Sequence, residues 1–286
     1  MPEPRSAPSS GLSRAARAWR SLRSSGGRHG LSIAFALLGL VILLFITVPL
    51  LKMLLSSVGE PEILWKTLVD RQVVEAIWLT FYAALVATTV GLIFGVPLAY
   101  FMARHEFRGK RLVEGLIDVP IVVPHTAAGI ALLFVFGRSF AVGRAFEGIG
   151  VTFVDSTAGI VIAMLFVSVP FLIDSAKEGF KKVDVRLEKV ARTLGATPWQ
   201  VFVRISLPLA WQSIVAGSIM MWARGISEFG AVVILTYHPM IAPVLVFERF
   251  EAFGLDYARP VAVLLIIVSA LVFVLLRVLV NRGEQA

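Results

Sequence analysis

Residues 31–55 read LSIAFALLGLVILLFITVPLLKMLL. From Ser32 to Leu51 no side chain carries a charge. A run of about 20 apolar residues is long enough for an α-helix to cross the hydrocarbon layer of a membrane. The composition agrees with that reading. The chain is 57% hydrophobic over 286 residues, its mean hydropathy is +0.83, and only 16% of residues are charged. Ordinary soluble domains are about 25% charged. One core cannot hide this much apolar surface, so the excess faces lipid.

Five further segments are long and apolar enough to span, at about 77–103, 116–136, 157–176, 211–235 and 258–280. An even count puts both termini on one side, and basic residues decide which side that is. With cytosolic termini, 19 of the 27 Lys and Arg lie inside, seven lie outside, and Arg224 lies within a span. The net charge of +8 is therefore a membrane signature, and no nucleic-acid partner is expected. Residues 1–30 carry six arginines and one acid, Glu3. They read as a disordered basic cytosolic tail, because the apolar run behind them is longer than a signal-peptide core and no small-residue cleavage site follows it. Few residues follow Val280, so no appended regulatory domain is expected. The prediction is an all-α, polytopic membrane helix bundle with six transmembrane helices, its domain covering 31–286. The outer connections 56–76, 137–156 and 236–257 are either short interfacial helices or plain loops.

The longest inner connection, 177–210, is patterned. Asp184 is a helix N-cap, and Leu187, Val190, Ala191 and Leu194 recur at helical spacing. Gly195 suits the left-handed turn that ends a helix. Thr197-Pro198-Trp199-Gln200 then starts a second helix, with Pro198 in its first turn and Gln200 placed to complete a capping box. That second helix is expected to end near Leu207-Pro208. The segment is thus a helix-turn-helix with an apolar stripe on a basic helix. Such a stripe is buried either in the membrane interface or in the groove of a partner protein.

Leu187-Glu188-Lys189-Val190-Ala191-Arg192-Thr193-Leu194-Gly195, followed by Ile205-Ser206-Leu207-Pro208, resembles the EAA loop of ABC importer permeases. The spacing from Gly195 to Ile205 and Leu207-Pro208 matches that motif. Counting back, Lys189 stands at the motif's Glu, Val190 at its first Ala, and Glu188 lies one residue early. Asp118 to Thr126 and Ser227 to Ala231 resemble the sulfate/molybdate/tungstate branch, and Ala223 to Pro243 is most similar to archaeal-type molybdate/tungstate permeases. The resemblance implies a type I importer permease in a prokaryotic inner or plasma membrane. It implies a second copy of the chain, two cytosolic ATPase subunits that grip the coupling loop, and an extracytoplasmic oxyanion-binding protein. The residues it assigns to ATPase coupling are Asp184, Leu187, Glu188, Ala191, Leu194 and Gly195. The implied cargo is molybdate or tungstate. The alternatives are a sulfate permease of the same type, or a passive or secondary anion carrier.

Arg224 and Glu228 stand four residues apart inside a span. An arginine at a helix centre costs about 2.5–3.5 kcal/mol to insert, so such groups face the bundle interior or water. Ser213, Gly217, Arg224, Ser227, Glu228 and Ala231 share that face. Arg224, Ser227 and Glu228 on it, with His125 and Thr126, are candidates for the substrate pathway or gate; the alternative is a structural ion pair. Ala87, Gly91, Gly95 and Ala99 form a ridge of small residues suited to close helix packing. No catalytic residue, metal or cofactor is expected. There is no cysteine, and His29, His105, His125 and His238 lack ligand spacing. The sequence contains no Walker A stretch, H-E-x-x-H or G-x-S-x-G. Any ATP is therefore hydrolysed on another chain.

Overall fold

The structure, a computed structural model, describes residues 12–282, with side chains from Leu31 to Val278 except Val58 and Arg277. The expected tail, 1–30, begins with residues 1–11, which lie outside the described residues. The described chain is helical from its start, and no strand occurs among the described residues. The first helix, α1 (Leu12–Val58), is a unit of its own. Its segment Leu31–Ser57 has a mean hydropathy of 2.9 over its most apolar window, as the opening stretch predicts.

The second unit starts at Glu60 and contains all remaining elements. Its centre is three long helices, α3 (Arg71–Arg104), α7 (Thr157–Lys182) and α10 (Leu207–Ile226). The small-residue ridge of α3 is what lets them meet. Ala87, Gly91, Gly95 and Ala99 are all buried. A Cβ on Gly91 would lie 2.6 Å from the Met221 side chain, so α10 packs where that atom is missing. The seam between α7 and α10 uses the same device: a Cβ on Gly217 would lie 2.7 Å from that of Ser175, and Ser175 Oγ donates to the Ser213 carbonyl at 2.7 Å. Ser213 and Gly217, the lower part of the expected polar face, thus belong to a helix–helix seam.

Two helices follow α7 outside the long bundle, α8 (Val185–Thr193) and α9 (Pro198–Val201). The expected stop at Leu207-Pro208 is not there. α9 runs through a π-helical turn, Phe202–Ser206, straight into α10, and Pro198–Ile226 forms one 29-residue helical run. Pro208 has no N–H to donate, and the wider turn just before it absorbs that gap without ending the helix. The Leu207 amide instead bonds the Phe202 carbonyl, five residues back.

Two predicted spans are broken where the hydropathy profile shows straight helices. The 116–136 segment is α4 (Lys110–Val122) and α5 (His125–Phe136), bent by 115°. Pro124 is the cause, since the residue before a proline is driven out of the α region, and Val123 sits at φ −68°, ψ 133°. The 211–235 segment is α10 and a short α11 (Gly230–Leu235), parted at Ser227–Phe229. The bent pair still carries the chain across. Glu114 of α4 lies 3.5 Å from Lys177 near the end of α7. Phe136, at the other end of α5, packs on Phe153, just before α7 begins, with ring centroids 4.8 Å apart. Among the described residues five helices are long and apolar enough to span, and the bent pair, taken as one span, brings the number to six.

At the end away from α8, the outer connections fold as short helices: α2 (Pro61–Val69), α6 (Ala141–Glu147) and α12 (Ala242–Phe253). The last helix, α13 (Leu255–Arg282), packs against α12. Ion pairs tie this end together. Arg249 of α12 holds Asp70, the N-cap of α3, at 2.7 Å, and Arg259 of α13 pairs with Glu60. Burial raises the pKa of the Asp70 carboxyl, but the Arg249 hydrogen bond and charge and the Gln72 amide outweigh it and hold the carboxyl below its usual range.

Candidate functional site: a tethered surface helix and a buried ion triad

The α8 helix is built by local chemistry that fixes both its ends. Asp184 caps it, accepting from the Arg186 amide at 2.8 Å. At the other end Gly195 has φ +91°, a conformation that costs a side-chain-bearing residue energy. The Ala196 amide bonds the Ala191 carbonyl at 3.0 Å and the Gly195 amide bonds that of Arg192 at 3.1 Å, the paired bonds of a Schellman stop. The capping box of α9 is complete: Gln200 N–H donates to Thr197 Oγ1 at 3.2 Å, and Thr197 N–H donates to Gln200 Oε1 at 2.8 Å.

The two faces of α8 differ. Leu187, Val190 and Leu194 are exposed, Leu194 by 83%, and Trp199 stands beside them at 70%. Ala191 is half-buried. Glu188 points the other way and is buried. Its Oε1 accepts from Arg104 Nε at 2.8 Å and from Ser206 Oγ at 2.8 Å, and lies 2.7 Å from Arg104 Nη2. Arg104 also donates to the Val183 carbonyl at 3.1 Å. One carboxylate thus joins α8 to the end of α3 and to the π-helical turn. Arg104 and Ser206 are the residues that sequence reasoning passed over. Arg104 reads as one more inner-side positive charge, and Ser206 as a spacer in the motif. The signal for them is chemical: a Glu next to an apolar stripe on a helix that must dock needs an inward partner.

The second constellation forms where the two broken spans meet. A Cβ on Gly129 would lie 2.8 Å from the Ala231 carbonyl oxygen, and one on Gly230 would lie 2.8 Å from His125 Cβ. Those missing atoms bring α5 and α11 together and set His125 against Glu228. The contact between His125 Nδ1 and Glu228 Oε2 is 2.7 Å. Arg224 Nη2 is 3.0 Å from the same oxygen and 2.8 Å and 2.9 Å from His125 Nδ1 and Nε2, and Arg224 Nη1 donates to Ser227 Oγ at 3.2 Å. Glu228 Oε1 accepts from the Ala231 amide at 2.9 Å, which starts α11. Glu228 is fully buried, while the Arg224 side chain is 23% exposed. Of the five sequence candidates, Arg224, Ser227, Glu228 and His125 meet here. Thr126 follows His125 and is exposed.

With this geometry in view, the chain can be set beside known proteins. Residues 95–284 match the family described as binding-protein-dependent transport system inner membrane component. The chain belongs to this family. The permease is 46% identical over 259 residues to the molybdate/tungstate transport system permease protein of Pyrococcus furiosus, covering 91% of this chain and 99% of the relative. It is 42% identical over 246 residues to the protein of the same name from Methanocaldococcus jannaschii, covering 86% and 95%. Similarity to the sulfate transport system permease protein of Synechocystis is lower, 29% over 262 residues, covering 90% and 92%. Among solved structures, the permease resembles a chain of a bacterial ABC transporter that imports alginate, with a TM-score of 0.68 at 17% identity over 93% of this chain and 99% of that one. It also resembles a chain of the MetNI methionine transporter, with a TM-score of 0.59 at 17% identity over 73% and 95%. These confirm the importer-permease fold.

Proposed function

We propose that this permease forms the membrane pathway of an ATP-driven importer for a tetrahedral divalent oxyanion, molybdate or tungstate. The observation that carries this reading is the tethered α8. Its apolar face is open in the single chain, its ends are capped, and its buried Glu188 roots it to a spanning helix. A membrane-interface helix has no need of such a root, whereas a handle that must transmit force does. The names of the relatives at 42–47% identity favour molybdate or tungstate. Sulfate is the second reading, supported by sulfate permeases at 29–33% identity.

In this reading two copies of the permease enclose the route, and symmetric closure is the common solution for such assemblies. The positive-inside bias supports a topology with both termini and α8 in the cytosol of a prokaryotic cell. Two ATPase subunits each take one exposed stripe, Leu187, Val190 and Leu194, into a groove. A binding protein delivers the anion at the opposite end, where α2, α6 and α12 lie. ATP binding and hydrolysis on the partner chains bias an inward-open against an outward-open state. The permease itself makes and breaks no covalent bond. The test is uptake by proteoliposomes holding permease, ATPase and binding protein. ATP-dependent uptake of molybdate or tungstate is expected to exceed that of sulfate. Equal uptake without ATP makes the chain a passive or secondary carrier and ends the importer reading.

A further inference from the structure

The triad poses a question of charge. An arginine inside a candidate span is partly open, while the glutamate that balances it is sealed. The open edge does not face lipid, because that costs about 2.5–3.5 kcal/mol. It also lies where two spans are interrupted, and non-helical backbone at membrane depth is tolerated only inside protein or beside water.

We propose that Arg224, with Ser227 beside it, is a low-affinity transit site for the oxyanion inside the membrane, and that Glu228 and His125 are positioning residues that keep its affinity low. The proposal rests on the importer reading. A guanidinium has five N–H donors. Three are committed, to Glu228, His125 and Ser227. The Nε–H and one Nη1–H remain, each free to donate singly to an oxygen of a passing anion. Arg224 Nη2 lies 2.8 Å and 2.9 Å from the two ring nitrogens of His125 and 3.0 Å from Glu228 Oε2, so imidazole and carboxylate together pin one corner of the guanidinium. Within the site the Glu228 carboxylate opposes the Arg224 charge. A pore site must bind well enough to admit an ion and weakly enough to release it. An unopposed arginine would hold a divalent anion. The internal carboxylate prevents that, and the imidazole fixes the guanidinium so that its open edge stays turned outward.

The two readings of Glu228 give opposite signs. In the complete complex of permease, ATPase and binding protein, reconstituted in proteoliposomes, Glu228→Gln removes the internal counter-charge. ATP-dependent uptake of radiolabelled molybdate should fall by roughly tenfold. Equilibrium retention of molybdate by the nucleotide-free complex of permease and ATPase, without binding protein, should rise by roughly tenfold. Arg224→Gln should lose uptake and show no retention while still assembling with the ATPase. Arg224→Lys keeps the charge with fewer fixed donors and should fall between Arg224→Gln and the native protein in uptake. If Glu228→Gln lowers uptake with no gain in retention, or Arg224→Gln transports at the native rate, the transit site is overturned. Should Glu228→Gln fail to assemble, Arg224→Lys decides: native uptake, or uptake as low as in Arg224→Gln, overturns the site. If the unmodified complex takes up no molybdate, tungstate or sulfate, the importer reading itself fails, which is a different result.

Discussion

Glu188 has a demanding position at the end of the bundle that carries α8. Its side chain and that of Arg104 are each only 8% exposed. Breaking such a pair from one side strands a buried charge, at a cost of about 3–5 kcal/mol. Arg104→Ala should therefore lower the thermal midpoint of the detergent-purified permease sharply. Arg104→Ala with Glu188→Ala should recover most of that loss, because no lone charge is left. A double-mutant cycle measures the coupling, and two additive losses would show that the tether carries no energy. Ser206→Ala removes one neutral donor from a carboxylate that keeps its arginine, so its cost should be nearer 1–2 kcal/mol.

At the scale of elements, α8 should behave as an exposed handle. Leu194 is largely exposed in the single chain, so Leu194→Ser should leave the thermal midpoint unchanged within about 0.5 kcal/mol. Co-purification of the ATPase should nonetheless fall by roughly tenfold, since a truncated apolar anchor at an interface costs that much. Gly129→Ala is the converse case. Its new methyl would meet the Ala231 carbonyl and Ile234 Cβ at 2.8 Å, and neither atom can swing aside. The change should push α11 off α5 and cost about 1–3 kcal/mol, measurable as a lower thermal midpoint with assembly at α8 intact. What was legible in the sequence divides along the same line. Asp184, Gly195 and the Thr197–Gln200 box are local signals and stand where their spacing puts them. The breaks at Val123 and Ser227 were hidden, because hydropathy averages over a window and does not see backbone geometry. Pro124 carried a warning of the first break. The second comes from Glu228 capping α11, and a carboxylate inside an apolar run reads as easily as one member of an ion pair. The partners of Glu188 lie 84 and 18 residues away in sequence, a separation that no local pattern reports.

Across the whole molecule, the end away from α8 is held by charge and the middle by close packing. The Asp70–Arg249 tie should show in a pH series. The folded carboxyl sits below its unfolded value of about 3.9, so its contribution is complete above that pH. It disappears as pH falls through the folded value. The difference in thermal midpoint between the native permease and Asp70→Asn should hold constant from pH 8 to about 5 and close in stronger acid. A difference that instead grew as pH fell would refute the assignment of this tie.

The unbroken run from Pro198 to Ile226 has a mechanical meaning. At 1.5 Å per residue, its 29 residues make a rod about 43 Å long. One tip bears Trp199, in the open; the other bears Arg224, among its counter-charges. The π-helical turn at Phe202–Ser206 widens the rod without ending it, so a stroke at one tip can pass along the run. A tilt of a few degrees imposed at the indole tip would arrive at the guanidinium as a sideways step of ångström size, comparable to the reach of the contacts that hold it.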